Sequence, residues 1–212
     1  MSSTRHDPRA PAHAARPRRA PVASNARLTS SVGAVLLVLL AVEGVTIVRV
    51  GQLTTAHVVI GMMLIPPVIV KMASTGYRFV RYYRGDPAFV KKGPPPALLR
   101  LLGPFVVTLT AIVIVSGVGL LFVPTRWRAD AMFVHKVSFV LWFGAMTLHV
   151  LGHIVETARL APRDWTARTR RDIAGAGARQ WLVVASLVAG LLLGIAVAPR
   201  LGGWLATGGG AH

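Results

Sequence analysis

From residue 31 onward the chain repeats one pattern: a long apolar run, then a short polar break. The apolar runs cover about 31–50, 54–74, 98–123, 131–156 and 181–199. Each is long enough to cross a hydrocarbon core as a helix, which takes about 20 residues at a rise of about 1.5 Å. The pattern predicts an all-α integral membrane fold, a four-helix bundle followed by a fifth transmembrane helix. The first run contains an acid, Glu43. The second contains Pro66 and Pro67, which remove helix hydrogen bonds and predict a kink. The fifth contains Gly190 and Gly194, a small-x-x-x-small pair that permits close helix packing. No internal repeat is evident.

The flanks differ from this core. Residues 1–29 are rich in Arg, Pro and Ala and cannot bury a core, which predicts a disordered basic tail. Residues 30–200 form the transmembrane domain, and 201–212 a flexible C-terminal tail. The run after Arg16–Arg19 has no A-x-A-like cleavage site behind it, so it is read as an uncleaved anchor.

Composition supports the membrane assignment. The 212 residues are 53% hydrophobic and 15% charged, with a mean hydropathy of +0.57; a soluble domain is usually less apolar and more charged. The net charge of +17, from 24 Lys and Arg against 7 Asp and Glu, would suggest nucleic-acid binding if it lay on one basic domain. It lies between apolar runs instead. Nineteen of the 24 basic residues fall in the N-terminal tail, the 71–100 connection and the 159–179 connection. The other five, Arg49, Arg126, Arg128, Lys136 and Arg200, fall on the opposite side. By the positive-inside rule the N terminus is cytoplasmic and the C terminus outside, in the cell's inner membrane. The partner expected for the basic loops is anionic lipid, not nucleic acid; a docking site for a cytoplasmic protein on the 71–100 connection is the alternative. The absence of cysteine excludes disulfides, thiolate metal sites, iron–sulfur clusters and covalently attached haem. The outer connections, near 51–53 and 124–130, are too short for a soluble catalytic domain.

Candidate chemistry rests on histidine. Of seven, four lie in apolar runs: His57 in the second, and His135, His149 and His153 in the fourth. Ionisable groups at membrane depth are functional by default. At about 100° per residue all three of the fourth run share one helix stripe, and His135 and His149 are about 21 Å apart along the axis. That separation suits two cofactors, one near each membrane face. His57 and His135 lie at matching depth near the outer face. Two helices offering imidazoles at one depth clamp a flat macrocycle, and haem iron accepts neutral imidazole on both axial faces. Gly61, one turn below His57, and Gly117 in the third run would make room for the ring. Arg126 and Arg128 suit haem propionates. The inner half is incomplete. One fourteen-residue step inward from His57 stands Lys71, and His149 and His153 share a helix, so they cannot take opposite faces of one haem. A His/Lys or His/Met ligation, a five-coordinate haem, or no inner haem with a quinone pocket or proton path all remain open. Glu43 serves either as a structural donor or as a proton carrier to a quinone.

The pattern His135, thirteen residues, His149, then His153 resembles the fourth helix of bacterial membrane b-type cytochromes. These are the cytochrome b subunits of formate dehydrogenase, nickel–iron hydrogenase and thiosulfate reductase. The resemblance covers about 31–156. It implies haem b held by His57 and His135 near the outer face, and gives His149 the role of an inner-haem ligand. The first-helix His that would complete the inner site has no counterpart here. The resemblance also implies an electron-transfer subunit of an oxidoreductase complex, exchanging electrons between membrane quinone and an extracytoplasmic redox partner. The competing class is a cofactor-free polytopic protein, a transporter or assembly factor, using the His stripe for protons or packing.

Overall fold

A computed structural model describes residues 20–94, 97–162 and 175–206. They form six helices: α1 (Ala20–Val48), α2 (Val50–Tyr83), the short α3 (Pro87–Lys92), α4 (Ala97–Leu120), α5 (Arg128–Leu160) and α6 (Ala176–Ala206). A single 3-10 turn, Thr125–Trp127, precedes α5, and no strand occurs among the described residues. Five helices are long and apolar enough to cross a membrane. The chain is an all-α, multi-pass membrane protein. Helices suit that environment because their backbone N–H and C=O groups are satisfied internally. Large apolar side chains such as Phe105, Val115, Phe133, Val140, Leu192 and Ile195 face outward, where lipid replaces water.

The spans run past the apolar runs at several ends. Residues 20–29, assigned above to a disordered tail, belong to α1. They are held by side chains the composition does not reveal: Asn25 Nδ2 donates to the Ser74 carbonyl at 3.0 Å, Arg179 donates to Ser24 Oγ at 2.8 Å, and Leu28 packs on the core. Likewise 201–206 continue α6 through Pro199 instead of forming a tail. Residues 1–19 and 207–212 lie outside the described residues. α2 continues to Tyr83, well beyond 74. It ends at Gly85, whose φ of +75° turns the chain into α3. There Asp86 caps the new helix by accepting from the Ala88 amide at 2.9 Å, and Arg81 pairs with the same carboxylate.

α1 and α2 are antiparallel neighbours joined at Arg49. α6 packs on the other side of α2, α4 pairs with α5, and α1 also touches α5. The bundle therefore has a turn end, carrying the α1–α2 and α4–α5 connections, and a loop end, carrying α3, the end of α5 and the start of α6. Pro66 and Pro67 lie inside α2, whose non-helical dihedrals are at Leu53 (φ −113°, ψ 21°). The prolines still leave a mark. Pro67 lacks the N–H that would reach the Met63 carbonyl, and that oxygen faces Gly190 of α6, where an added Cβ would sit 2.5 Å from it. One turn along, a Cβ on Gly194 would sit 3.1 Å from the Val59 carbonyl. The glycine pair lets α6 lie backbone-to-backbone on α2, in contacts of the Cα–H···O type. Val32, Leu36, Leu64 and Val183 fill the adjoining core.

Candidate functional site

Between the α1–α2 and α4–α5 pairs lies an apolar cavity of about 580 Å³, within the range of roughly 300–1,000 Å³ usual for ligand pockets. Its polar atoms are few. His57 and Glu43 line it from one side, and His135, Lys136 and the Trp142–Thr110 pair from the other. Trp204 of α6 closes the turn end, anchored by its indole N–H on the Leu120 carbonyl at 3.0 Å.

The two histidines that the sequence sets at one depth meet here. Their ring centroids are 6.4 Å apart with planes at 72°, so they face one another without stacking. Each ring is fixed through Nδ1. On α1, Glu43 Oε1 lies 2.9 Å from His57 Nδ1 and Thr46 Oγ1 lies 3.2 Å from it. The Thr46 hydroxyl hydrogen is directed to oxygens of Glu43, the carbonyl at 2.6 Å and Oε2 at 3.1 Å. Nδ1 of His57 thus faces two acceptors and carries the proton. The same logic holds on α4. Ser116 Oγ donates to the Val113 carbonyl at 3.1 Å, so toward His135 Nδ1, at 3.0 Å, it accepts. Both rings are assigned the Nδ1–H tautomer, which leaves each Nε2 as a bare lone pair. No hydrogen bond to either Nε2 is found among the described residues.

Glycines set the approach. A Cβ on Gly117 would fall 2.9 Å from His135 Cε1. The space over Gly117, expected to receive a macrocycle, instead seats the His135 ring against α4. Gly61 lines the cavity below His57, with Glu43 Oε1 3.5 Å from its potential Cβ.

Other expected residues lie elsewhere. Arg126 is exposed and Arg128 places its guanidinium 5.6 Å from the Trp204 ring centre in a cation–π contact; neither lines the cavity. The cation at its wall is Lys136, which the sequence reading left as a topology marker. His149 and His153 also stand outside the cavity lining, at the loop end, with ring centroids 4.7 Å apart. His149 Nδ1 is buried without a hydrogen-bond partner. His153 Nδ1 lies 3.9 Å from Glu156 Oε2, and Lys92 Nζ lies 3.5 Å from Glu156 Oε1. Lys71, the residue one step inward from His57, donates to the Thr29 carbonyl at 2.7 Å. Its Nζ fills the space over Gly33, 2.8 Å from where a Cβ would be.

Glu43, Thr46 and Ser116 are the functional neighbours that sequence reasoning did not connect to the histidines. The i, i+3 spacing of Glu43 and Thr46 was a usable signal, since it puts both on one helix face. Among the described residues no three of His, Asp and Glu converge as a metal-ion cluster. A metal held by this pair would therefore have to bring its remaining ligands with it. Comparisons with protein-family models, curated proteins and solved structures return no match for the chain.

Proposed function

We propose that the protein is a membrane b-type cytochrome holding one haem between His57 and His135 and passing single electrons between the quinone pool and a partner redox protein. The observation that carries this is the facing imidazole pair on the cavity wall. A metal bound by two imidazole nitrogens at about 2.0–2.1 Å each, with each ring centre about 1.1 Å behind its nitrogen, sets the centres roughly 6.2–6.4 Å apart. The observed 6.4 Å falls at the upper end of that range. With Nδ1 protonated, both rings would offer a nitrogen lone pair to haem iron, and the macrocycle would bring the further ligands that the protein lacks.

Each residue around the pair then has a defined task. His57 and His135 hold the iron from opposite helices. Glu43, Thr46 and Ser116 keep the rings from rotating away. The apolar wall of Leu40, Ile47, Val113, Ile114 and Phe139 excludes water, which favours a low-polarity redox centre. Lys136 offers a cation to an acidic substituent at the turn end. Bound haem supplies reversible one-electron transfer. With the turn end outward, as the charge distribution indicates, the partner docks on the extracytoplasmic side, where the centre is nearest the surface. The resemblance of the His57 and His135 positions to the outer-haem ligands of cytochrome b subunits supports the same assignment.

The test is the visible spectrum of the full chain, expressed with ample haem and purified in detergent. A sharp Soret band with reducible α and β bands, at one haem per chain, is expected. A colourless, folded protein overturns the proposal.

A further inference from the structure

Glu43 is the one acid of α1, and it is 8% exposed in an apolar helix. A buried carboxyl is costly unless partnered, and none of its polar neighbours is a lysine or arginine. Its partners are the Thr46 hydroxyl at 3.1 Å and His57 Nδ1 at 2.9 Å. Gly61 stands opposite with no side chain, so nothing crowds Oε1. The equivalent place behind His135 holds neutral groups, the hydroxyl of Ser116 and the Val113 carbonyl. The two rings are thus backed by unlike groups, a carboxyl on one side and neutral oxygens on the other. Imidazoles that bind metals commonly donate their second N–H to an acceptor, which fixes the tautomer and raises the basicity of the ligating nitrogen; a carboxylate does so more strongly than a hydroxyl.

We propose that Glu43 is a positioning residue: through Oε1 on Nδ1 it locks His57 in the Nδ1–H tautomer, aims Nε2 into the cavity as the stronger of two unequal donors, and lowers the midpoint potential of the bound group. The last clause rests on the haem assignment above; the first two do not. Glu43 favours the oxidised state because negative charge and a more basic imidazole both stabilise the more positive iron. The polarity of the site follows from one residue on α1, a helix that contributes no ligand.

Two readouts separate these statements. In apo-protein labelled with 15N-histidine, the His57 signal, identified by its loss in His57→Ala, should report a protonated Nδ1 and a bare Nε2. In Glu43→Ala that preference should collapse toward a mixture of tautomers, while His135 is unchanged. In haem-loaded protein, Glu43→Gln should keep the haem but raise the midpoint potential by at least a threefold change in the reduction equilibrium, about 30 mV for a one-electron couple. Ser116→Ala should shift it less. If Glu43→Gln fails to retain haem, Glu43→Asp, which keeps the carboxylate, should restore binding; failure of both with the helical signal intact overturns the proposal. A Glu43→Gln potential superimposable on wild type, or a His57 tautomer untouched by Glu43→Ala, also overturns it and leaves the cytochrome assignment standing. Wild-type protein that binds no haem overturns that assignment instead, and the apo tautomer measurement still decides the role of Glu43.

Discussion

The turn end and the loop end of the bundle each carry histidines, yet only at the turn end do imidazoles from two helices meet on the wall of the cavity. At the turn end both imidazoles have an acceptor behind Nδ1, and Gly117 makes room for one of them. Both residues line a cavity of about 580 Å³. At the loop end His149 Nδ1 is buried with no acceptor at all, so nothing selects the tautomer of that ring. The groove on α1 that a partner ligand would use is filled by the Lys71 side chain, tied to Thr29. The two ends therefore differ in what stands behind each histidine and what stands across from it. The 14-residue spacing that His149 shares with His135 does not by itself make a second site.

The largest effect should come from breaking the turn end. His57→Ala and His135→Ala should each cost most of the bound haem, read as loss of the Soret band per chain, whereas His149→Ala and His153→Ala should leave stoichiometry and spectrum unchanged. Equal losses from His149→Ala would show that the two ends are not different in kind. Next in size is the contact that holds α6 on α2, which both ends share. Gly190→Val places branched carbons where even a Cβ would meet the Met63 backbone oxygen at 2.5 Å. Overpacking of this kind costs about 1–3 kcal/mol, occasionally more. Thermal unfolding in detergent should occur at lower temperature. Haem that survives should keep its wild-type spectrum, because the cavity is lined mainly by the other four spans.

A smaller and more local change tests the glycine under His135. Gly117→Ala puts a methyl 2.9 Å from His135 Cε1, so the ring must tilt and strain its bond to Ser116. Gly61→Ala meets Glu43 Oε1 at 3.5 Å, an ordinary van der Waals distance. The first should weaken haem retention several-fold in a competition assay and the second should hardly alter it. The reverse order would mean that Gly61, not Gly117, sets the approach of the ring.

Much of this architecture was legible in the chain. Five apolar runs give five spans because membrane insertion selects on length and hydropathy, which are local properties. The equal depth of His57 and His135 was legible, since both spans start from the same end; that their rings meet also needed the rotation of each helix. Helix ends were less legible. Ser24 and Asn25 read as part of a polar tail, but their helix persists because groups on other spans satisfy them; the Tyr- and Arg-rich segment after Ser74 is held by α3 and its ends, through Tyr77–Phe89 and Arg78–Gly93. The azimuth of one helix around another is not a local property either. Whether Glu43 faces His57, or Lys71 faces α1, depends on how α1 and α2 are rotated about their axes, and that is set by packing of Val32, Leu36 and Leu64. The surroundings of Arg126 and Arg128 show the same dependence on packing. They belong to the right connection, yet Arg128 turns toward Trp204, a residue of α6 that no periodicity in α5 announces.

The smallest effect sharpens the comparison most. Lys71→Met keeps the length of the side chain but removes the ammonium that donates to Thr29, so the loop end loses one charged hydrogen bond, worth roughly 1.5–3 kcal/mol before the relief of no longer burying a charge. The two terms oppose each other, and the net change in unfolding temperature should be slight. What matters is the haem count. If Lys71 were an axial ligand to an inner haem, Lys71→Met would swap one possible ligand for another and shift the spectrum of half of the bound haem. If Lys71 is a strut that occupies the space over Gly33, as its 2.8 Å distance to a potential Cβ there indicates, one haem per chain and an unaltered α band are expected. A spectral change in Lys71→Met with His57 and His135 intact would move the second redox centre back to the loop end.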